Sequence, residues 1–279
     1  MDHQKKLQVV TGGTSGMGLA TAKALSIYGP VLVGGRSEKR LSTALEELKA
    51  AGAEAYGKAC DVSSPESLKE FSEYAASIAP IGSVINAAGV DFDQATPEQI
   101  VQINMQGTHY VLEAFLPYLN GSEVVNFSSI TGYFYTPKKE DFEVWSAPDA
   151  EDFSEKVLAL VPPLDAAYAE RLGVAYPAYC CSKRFVMYYT QANVARVARK
   201  NSSRIISIAP GSFDTPMLAA QADYMETIAK GTAFGRVGRP DEMASLIASL
   251  LAPGHEYLTG CDIIMDGGKY ALSATKQFD

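Results

Sequence analysis

An open α/β sheet of seven parallel strands, doubly wound with helices on both faces, is the fold this sequence predicts. Three observations predict it. Seven short strand-like pieces alternate with helical patterns along the chain, the first runs through a glycine-rich turn straight into a helix, and unusual residues cluster just after the strands. In an open parallel sheet that last position is the ligand crevice.

Residues 7–10 form a short apolar run broken by Thr11-Gly12-Gly13-Thr14-Ser15-Gly16-Met17-Gly18, after which Leu19, Ala22, Ala24 and Leu25 fall at helical spacing. Residues 31–33 give a second strand and 37–51 a charged amphipathic helix. Further strands are expected over 54–58, 83–85, 123–127, 204–208 and 262–265, with helices between them. The strands end on Gly34-Gly35-Arg36, Asp61-Val62, Asn86-Ala87-Ala88-Gly89, Ser128-Ser129 and Pro210-Gly211. Right-handed crossovers bring all of these to one edge of the sheet. No repeat, low-complexity run or linker divides the chain, so residues 1–279 are read as a single domain.

At 47% hydrophobic the chain supports a large core, and its net charge of −8 with a pI near 5.0 argues against nucleic-acid or anionic-membrane partners. Cys60, Cys180, Cys181 and Cys261 have no CxxC spacing, and His3, His109 and His255 are scattered, so neither a metal site nor a disulfide framework is expected. The apolar run near the N-terminus is too short for a signal peptide, and none approaches the ~18 residues of a membrane span. These features point to a soluble protein of a reducing cytoplasm.

Tyr179-Cys180-Cys181-Ser182-Lys183 opens a helical run, and side chains four apart share one helix face. A cation beside a phenol favours phenolate, which makes tyrosine a usable acid or base. The glycines between Thr11 and Gly18 permit a tight turn and let backbone N–H groups approach a pyrophosphate, whose charge a helix N-terminus stabilises. An NAD enzyme places an acid at the end of the second strand. Here Arg36 stands instead and can fork a 2′-phosphate, which favours NADP(H) over NAD(H).

With these motifs assembled in one order (Thr11–Gly18, Asp61, Asn86–Gly89, Asn104, Ser129, Tyr179 with Lys183, Pro210-Gly211 with Thr215, then Asp266-Gly267-Gly268) the chain resembles a classical short-chain dehydrogenase/reductase over about residues 6–268. The resemblance implies a Rossmann-like fold and an oxidoreductase interconverting alcohol and ketone. It assigns Tyr179 as general acid or base and Lys183 to the nicotinamide ribose and the tyrosine pKa. Ser129, rather than Ser128, is assigned to the substrate oxygen, and Asn104 to a helix kink holding a relay water. It places the adenine at Asp61 and Val62 and the adenosine half at Asn86, Ala87 and Gly89, with Asn86 and Gly89 serving architecture as well, and the nicotinamide end at Pro210, Gly211, Phe213 and Thr215. Cys180 and Cys181 are read as small buried residues.

One departure stands out. Ser129 and Tyr179 are 50 positions apart, far more than is usual in the resembled family, and a segment of about 132–175 enters between them. Two short helices, over 149–160 and 164–172, are expected inside it. Its aromatics (Tyr133, Phe134, Tyr135, Phe142, Trp145) and those of a substrate lid at about 212–234 (Phe213, Met217, Leu218, Tyr224, Met225, Ile228, Phe234) suggest a roomy apolar pocket. Some hydroxysteroid dehydrogenases of the family carry such an insertion, which makes a steroid or bile-acid hydroxyl the leading substrate. A reductase of small ketones or 3-oxoacyl thioesters, a nucleotide-sugar epimerase and a non-enzymatic NADP-binding regulator are the alternatives. A homodimer or homotetramer is expected, built on the helix over 240–250 and the last strand.

Overall fold

Parallel neighbours cannot be joined by a tight hairpin, so each strand must be reached through a crossover, usually helical. The computed structural model, which describes residues 6–165, 170, 172–219 and 225–275, follows that rule throughout. Strand β1 (Leu7–Thr11) leads to α1 (Gly16–Leu25), β2 (Val31–Gly35) to α2 (Glu38–Ala50), and β3 (Ala55–Ala59) to α3 (Pro65–Ile78). After β4 (Ile81–Asn86), α4 (Pro97–Ile100), a π-helical segment (Val101–Gln106) and α5 (Gly107–Phe115) run on without a break. β5 (Glu123–Phe127) is followed by α6 (Lys139–Trp145), α7 (Phe153–Leu160), α8 (Tyr176–Ala192) and α9 (Val194–Asn201). β6 (Arg204–Pro210) leads through α10 (Pro216–Ala219), α11 (Met225–Lys230) and α12 (Pro240–Leu251) to β7 (Asp262–Met265) and α13 (Lys269–Thr275).

All seven expected strands form and pair in parallel in the order β3-β2-β1-β4-β5-β6-β7. The order reverses between β1 and β4, and a crevice opens at that switch point beyond the strand ends. Alternation along β1 sends Leu7 and Val9 into one core layer, with Phe71, Phe115 and Phe185, and Val10 into the other, with Leu25, Ile85 and Ile247. Covered on both faces, the central strands are buried along their whole length, and the polar side chains they carry, such as Gln8 and Ser83, are bonded to each other (2.6 Å).

At the outer edge of the strands' N-terminal ends, Glu123 and Arg204 stand opposite each other in register, and Arg204 Nε meets Glu123 Oε1 at 3.3 Å with both side chains buried. Arg204 also donates to the carbonyls of Leu250, His255 and Leu258, tying β6 to the segment that precedes β7.

The inserted segment differs from expectation. A helix forms at α6, where none was foreseen, and the one expected over 149–160 begins only at Phe153. The helix expected over 164–172 lies largely outside the described residues. Asp141 explains where α6 starts, since its carboxylate accepts from the Lys138 N–H (2.7 Å) and the Tyr135 hydroxyl (2.6 Å). Trp145 then packs edge-on against Phe185 of α8, ring centroids 5.8 Å apart, and lies 5.5 Å from Tyr188. Phe142 covers Tyr188 and Phe153 covers Phe185. The segment is thus a layer laid on the outer face of α8.

Candidate active site

The turn from β1 to α1 fits a diphosphate. Ser15 enters α1 in extended conformation without a side-chain cap, and the first turn holds no acid, so its N–H groups and positive dipole end are free for an anion. Gly12 has φ +67°, and a Cβ there would stand 2.6 Å from the Ala88 backbone nitrogen. The turn can therefore pack against the one after β4 only with glycine at that position.

A cavity of about 200 Å³ runs from this turn past Gly35, Arg36, Asp61 and Val62. Arg40, one helical turn beyond Arg36, lines it too, and no carboxylate among the described residues pairs with either guanidinium. Arg40 was not among the expected residues, although its i, i+4 spacing from Arg36 into α2 was an available signal. Asp61 is partly engaged, its Oδ1 accepting from the Ser63 N–H (2.9 Å) and hydroxyl (2.7 Å).

Two residues expected at the cofactor, Thr11 and Asn86, line neither this cavity nor the one at the reactive end. The Thr11 hydroxyl donates to Asn86 Oδ1 (2.8 Å), and Asn86 Nδ2 donates to Thr108 (3.3 Å) and Asn126 (3.5 Å), all buried. Both side chains belong to the floor, because a buried amide must be satisfied by its neighbours.

At the reactive end Tyr179 and Ser129 both line a second cavity of about 370 Å³, with the Ser129 side chain beside the phenol. Ser128 also borders it, but its hydroxyl donates to the Ile208 carbonyl (2.9 Å) and Asp262 (2.7 Å), which ties it to the sheet. Lys183 Nζ lies 5.7 Å from the centre of the Tyr179 ring and donates to the Phe127 carbonyl at 3.1 Å. Asn104 sits in the π-helical segment, the kind of irregularity that recurs at functional sites. Its Oδ1 accepts from the Val90 N–H (2.9 Å), while Nδ2 donates to the Val90 carbonyl (3.0 Å) and Ser182 (3.3 Å). So engaged, Asn104 is a strut between the β4 turn and α8.

The electrostatics depart from the simple cation–phenol picture. Burial, and then the carboxylate of Asp91, push the Tyr179 phenol above its usual range, with the Ser129 side chain opposing them. Lys183 does not reverse this, for its ammonium is turned to Phe127 and is itself pushed down from 10.5 to about 8 by burial. Between those values the unfolded chain holds a proton that the folded chain has released, so this group's contribution to stability rises with pH. The buried thiols Cys60, Cys180 and Cys181, whose pKa values burial raises, pull total stability the other way over this range. The Lys183 share is therefore read as a difference: in denaturant titrations of cofactor-free protein, the stability of wild type relative to Lys183→Met should rise between about pH 8 and pH 10.

Asp91 escaped the sequence reading altogether. It lines the same cavity, accepts from the Phe92 N–H (2.8 Å), and burial raises its carboxyl pKa while Lys183 lowers it. An acid in the apolar run Gly89-Val90-Asp91-Phe92 directly after a strand-end glycine was the available signal.

The second cavity is mainly apolar. Phe92, Leu172 and Tyr176 stand among its walls, and Phe213, Met217, Leu218 and Ile228 come from the segment after β6. Of the five aromatics expected from the insertion, only Phe134 reaches it. Tyr133 is bonded to Asp262 and Tyr135 to Asp141, while Phe142 and Trp145 serve the packing on α8. Phe234 does not line it either and is 75% exposed, and Tyr224 and the Met225 side chain lie outside the described residues. Phe213 is buried and held against Gly238, so it is an anchor of the lid. Met17, Ala87, Gly89, Val90, Phe127 and Thr215 border both cavities, which makes them one continuous crevice. The buried Cys180 and Cys181 thiols lie outside it; burial pushes the first up to about 11 and raises the second further.

Comparison with known proteins agrees with this arrangement. Residues 6–140 match the short chain dehydrogenase family, and residues 164–269 match one described as enoyl-(acyl carrier protein) reductase. Short-chain dehydrogenase/reductase bsc3 of Alternaria brassicicola is 29% identical over 270 residues, 93% of this chain and 94% of that protein. A 3-oxoacyl-acyl-carrier-protein reductase of Thermotoga maritima is 24% identical over 282 residues, 96% of this chain and 99% of that one. Among solved structures, an actinorhodin polyketide ketoreductase variant with NADPH superposes with a TM-score of 0.72 at 25% identity, covering 95% and 97% of the two chains.

Proposed function

Since the chain belongs to the short-chain dehydrogenase/reductase family and is thus an NAD(P)-dependent oxidoreductase acting on CH–OH groups, we propose that it uses NADP(H) to interconvert a ketone and a secondary alcohol on a large hydrophobic substrate of steroid type. The observation that carries this reading is that Tyr179 and Ser129 together border a mainly apolar cavity continuous with the glycine-turn groove.

The nicotinamide cofactor, when bound, supplies or accepts the hydride. The chain's residues then handle the oxygen. Negative charge develops there during reduction, and the Ser129 and Tyr179 hydroxyls stabilise it, with Tyr179 donating the proton. Lys183 supplies positive charge beside the phenol, and Asn104 positions the helix that carries both. Thr14, Ser15, Gly16, Met17 and Gly18 would hold the diphosphate, Asp61 and Val62 the adenine, Ala87 and Gly89 the adenosine side, and Pro210, Gly211, Phe213 and Thr215 the nicotinamide. Arg36 and Arg40, without carboxylate partners among the described residues, would fork the 2′-phosphate. An Arg36→Asp protein should show its NADPH-over-NADH ratio of kcat/KM reduced roughly tenfold to hundredfold, the range of one charge-assisted contact. An unchanged ratio would mean that Arg36 only caps α2.

A second reading, a reductase of smaller ketones or 3-oxoacyl thioesters, is supported by the ketoacyl and polyketide reductases among the similar proteins. A panel of keto-steroids, keto-bile acids, 3-oxoacyl thioesters and small diketones, followed at the NADPH absorbance, separates the two. Turnover confined to the thioesters or small ketones overturns the steroid reading. Edge strand β7 and helix α12 support a homo-oligomer formed through that side, and four free cysteines support a reducing cytoplasm. Among the described residues, no helix is long and apolar enough to cross a membrane.

A further inference from the structure

Three charged side chains line the substrate cavity, and only two of them belong to the reactive end. Asp91 and Lys183 are coupled to each other beside Tyr179. Lys269 is the third. It follows Asp266-Gly267-Gly268 at the end of β7, and its aliphatic stem passes the end of the lid, where a Cβ on Gly231 would lie 3.9 Å from Lys269 Cε.

Its ammonium is half-buried and has no acceptor among the described residues. The acid nearest in sequence, Asp266, is occupied, accepting from the Gly268 N–H (2.8 Å) and the Tyr270 N–H (2.6 Å). Burial accordingly lowers the Lys269 pKa, and Asp266 opposes that from a distance. A cation stripped of part of its water and given no counter-charge carries a standing cost that a bound anion relieves. Elsewhere in this acidic chain, Lys23, Lys139 and Lys156 pair with Glu47, Glu143 and Asp152, while Lys39, Lys49, Lys69, Lys138 and Lys200 are exposed to water. Lys269 instead borders a cavity whose neighbouring lid walls, Leu218 and Ile228, are apolar.

We infer that Lys269 is a specificity-determining residue that binds an anionic group, such as a carboxylate or sulfate ester, carried by the hydrophobic ketone away from its reacting carbonyl. The inference rests on the alcohol–ketone reading of the Tyr179 site and sharpens its substrate class to an amphipathic acid. An ammonium is a point charge, so it selects anions as a class rather than one geometry.

The test measures kcat/KM for matched pairs: a keto-cholanoate and its methyl ester, a keto-steroid sulfate and its parent alcohol, and a 3-oxo fatty acid and its methyl ester. Wild-type protein should prefer the anion of a pair by about tenfold or more, chiefly through KM. Lys269→Met should bring that ratio near one, and Lys269→Arg should restore it. The carboxylate and sulfate pairs tell which anion is preferred. Equal use of anion and neutral partner by wild type, or a preference that persists in Lys269→Met, overturns the inference. If the variant fails to bind NADPH, the wild-type ratios and Lys269→Gln still decide. Should only the fatty-acid pair be turned over, with a Lys269-dependent ratio, the steroid reading falls while the anion site stands. Steroid turnover without anion preference gives the converse.

Discussion

Tyr179→Phe should lower kcat for ketone reduction by roughly 10²–10⁴, the range for losing a positioned general acid, while NADPH binding followed by fluorescence stays close to wild type. The phenyl ring keeps the packing against Phe92, whose ring centre lies 5.4 Å away, so the loss is confined to the hydroxyl. Surviving turnover would remove Tyr179 as the acid. The pH profile should follow from the same environment. Burial and Asp91 hold the phenol protonated through neutral pH, which suits donation to a ketone oxygen. Oxidation of the alcohol needs the phenolate and should speed up as pH rises, whereas reduction should slow once the acid begins to deprotonate.

Trp145→Ala should destabilise the protein by roughly 3–5 kcal/mol in denaturant unfolding, the cost of emptying a large core site. The indole is 1% exposed and sits among Tyr135, Phe142, Phe185 and Tyr188. Trp145→Phe should cost much less, because the indole N–H has no acceptor among the described residues and its removal relieves a buried donor. If the insertion served chiefly as a substrate wall, Trp145→Ala would instead raise KM and leave the unfolding midpoint in place.

The strands were legible because each is a short apolar run closed by punctuation, and Tyr179 with Lys183 because helical spacing put them on one face. The strand-end motifs then supplied the context that the pair lacked. What escaped has a common cause. Helix α6 is only two turns long, too short for a period to register, and the carboxylate that starts it is recognisable only once Tyr135 and Lys138 are seen around it. Asp91 and Lys269 are single charges in turns, and nothing in their spacing says that they border one cavity. Phe213 and Phe234 read alike in sequence, yet one is anchored on Gly238 and the other is exposed, an outcome of lid packing alone. The Tyr179 pKa misled for a related reason. A neighbouring cation is visible from i, i+4 spacing, whereas desolvation is a sum over the whole enclosure.

The layer that α6 and α7 form over Phe185 and Tyr188 has a consequence in mass action. A helix face covered by a second polypeptide is covered only as far as concentration allows, and dilution exposes it. Here the cover is supplied by the same chain, at an effective concentration fixed by covalent connection. The helix bearing Tyr179 and Lys183 therefore keeps its backing at any dilution, and activity per molecule assayed at very low protein concentration should not decay through loss of that support.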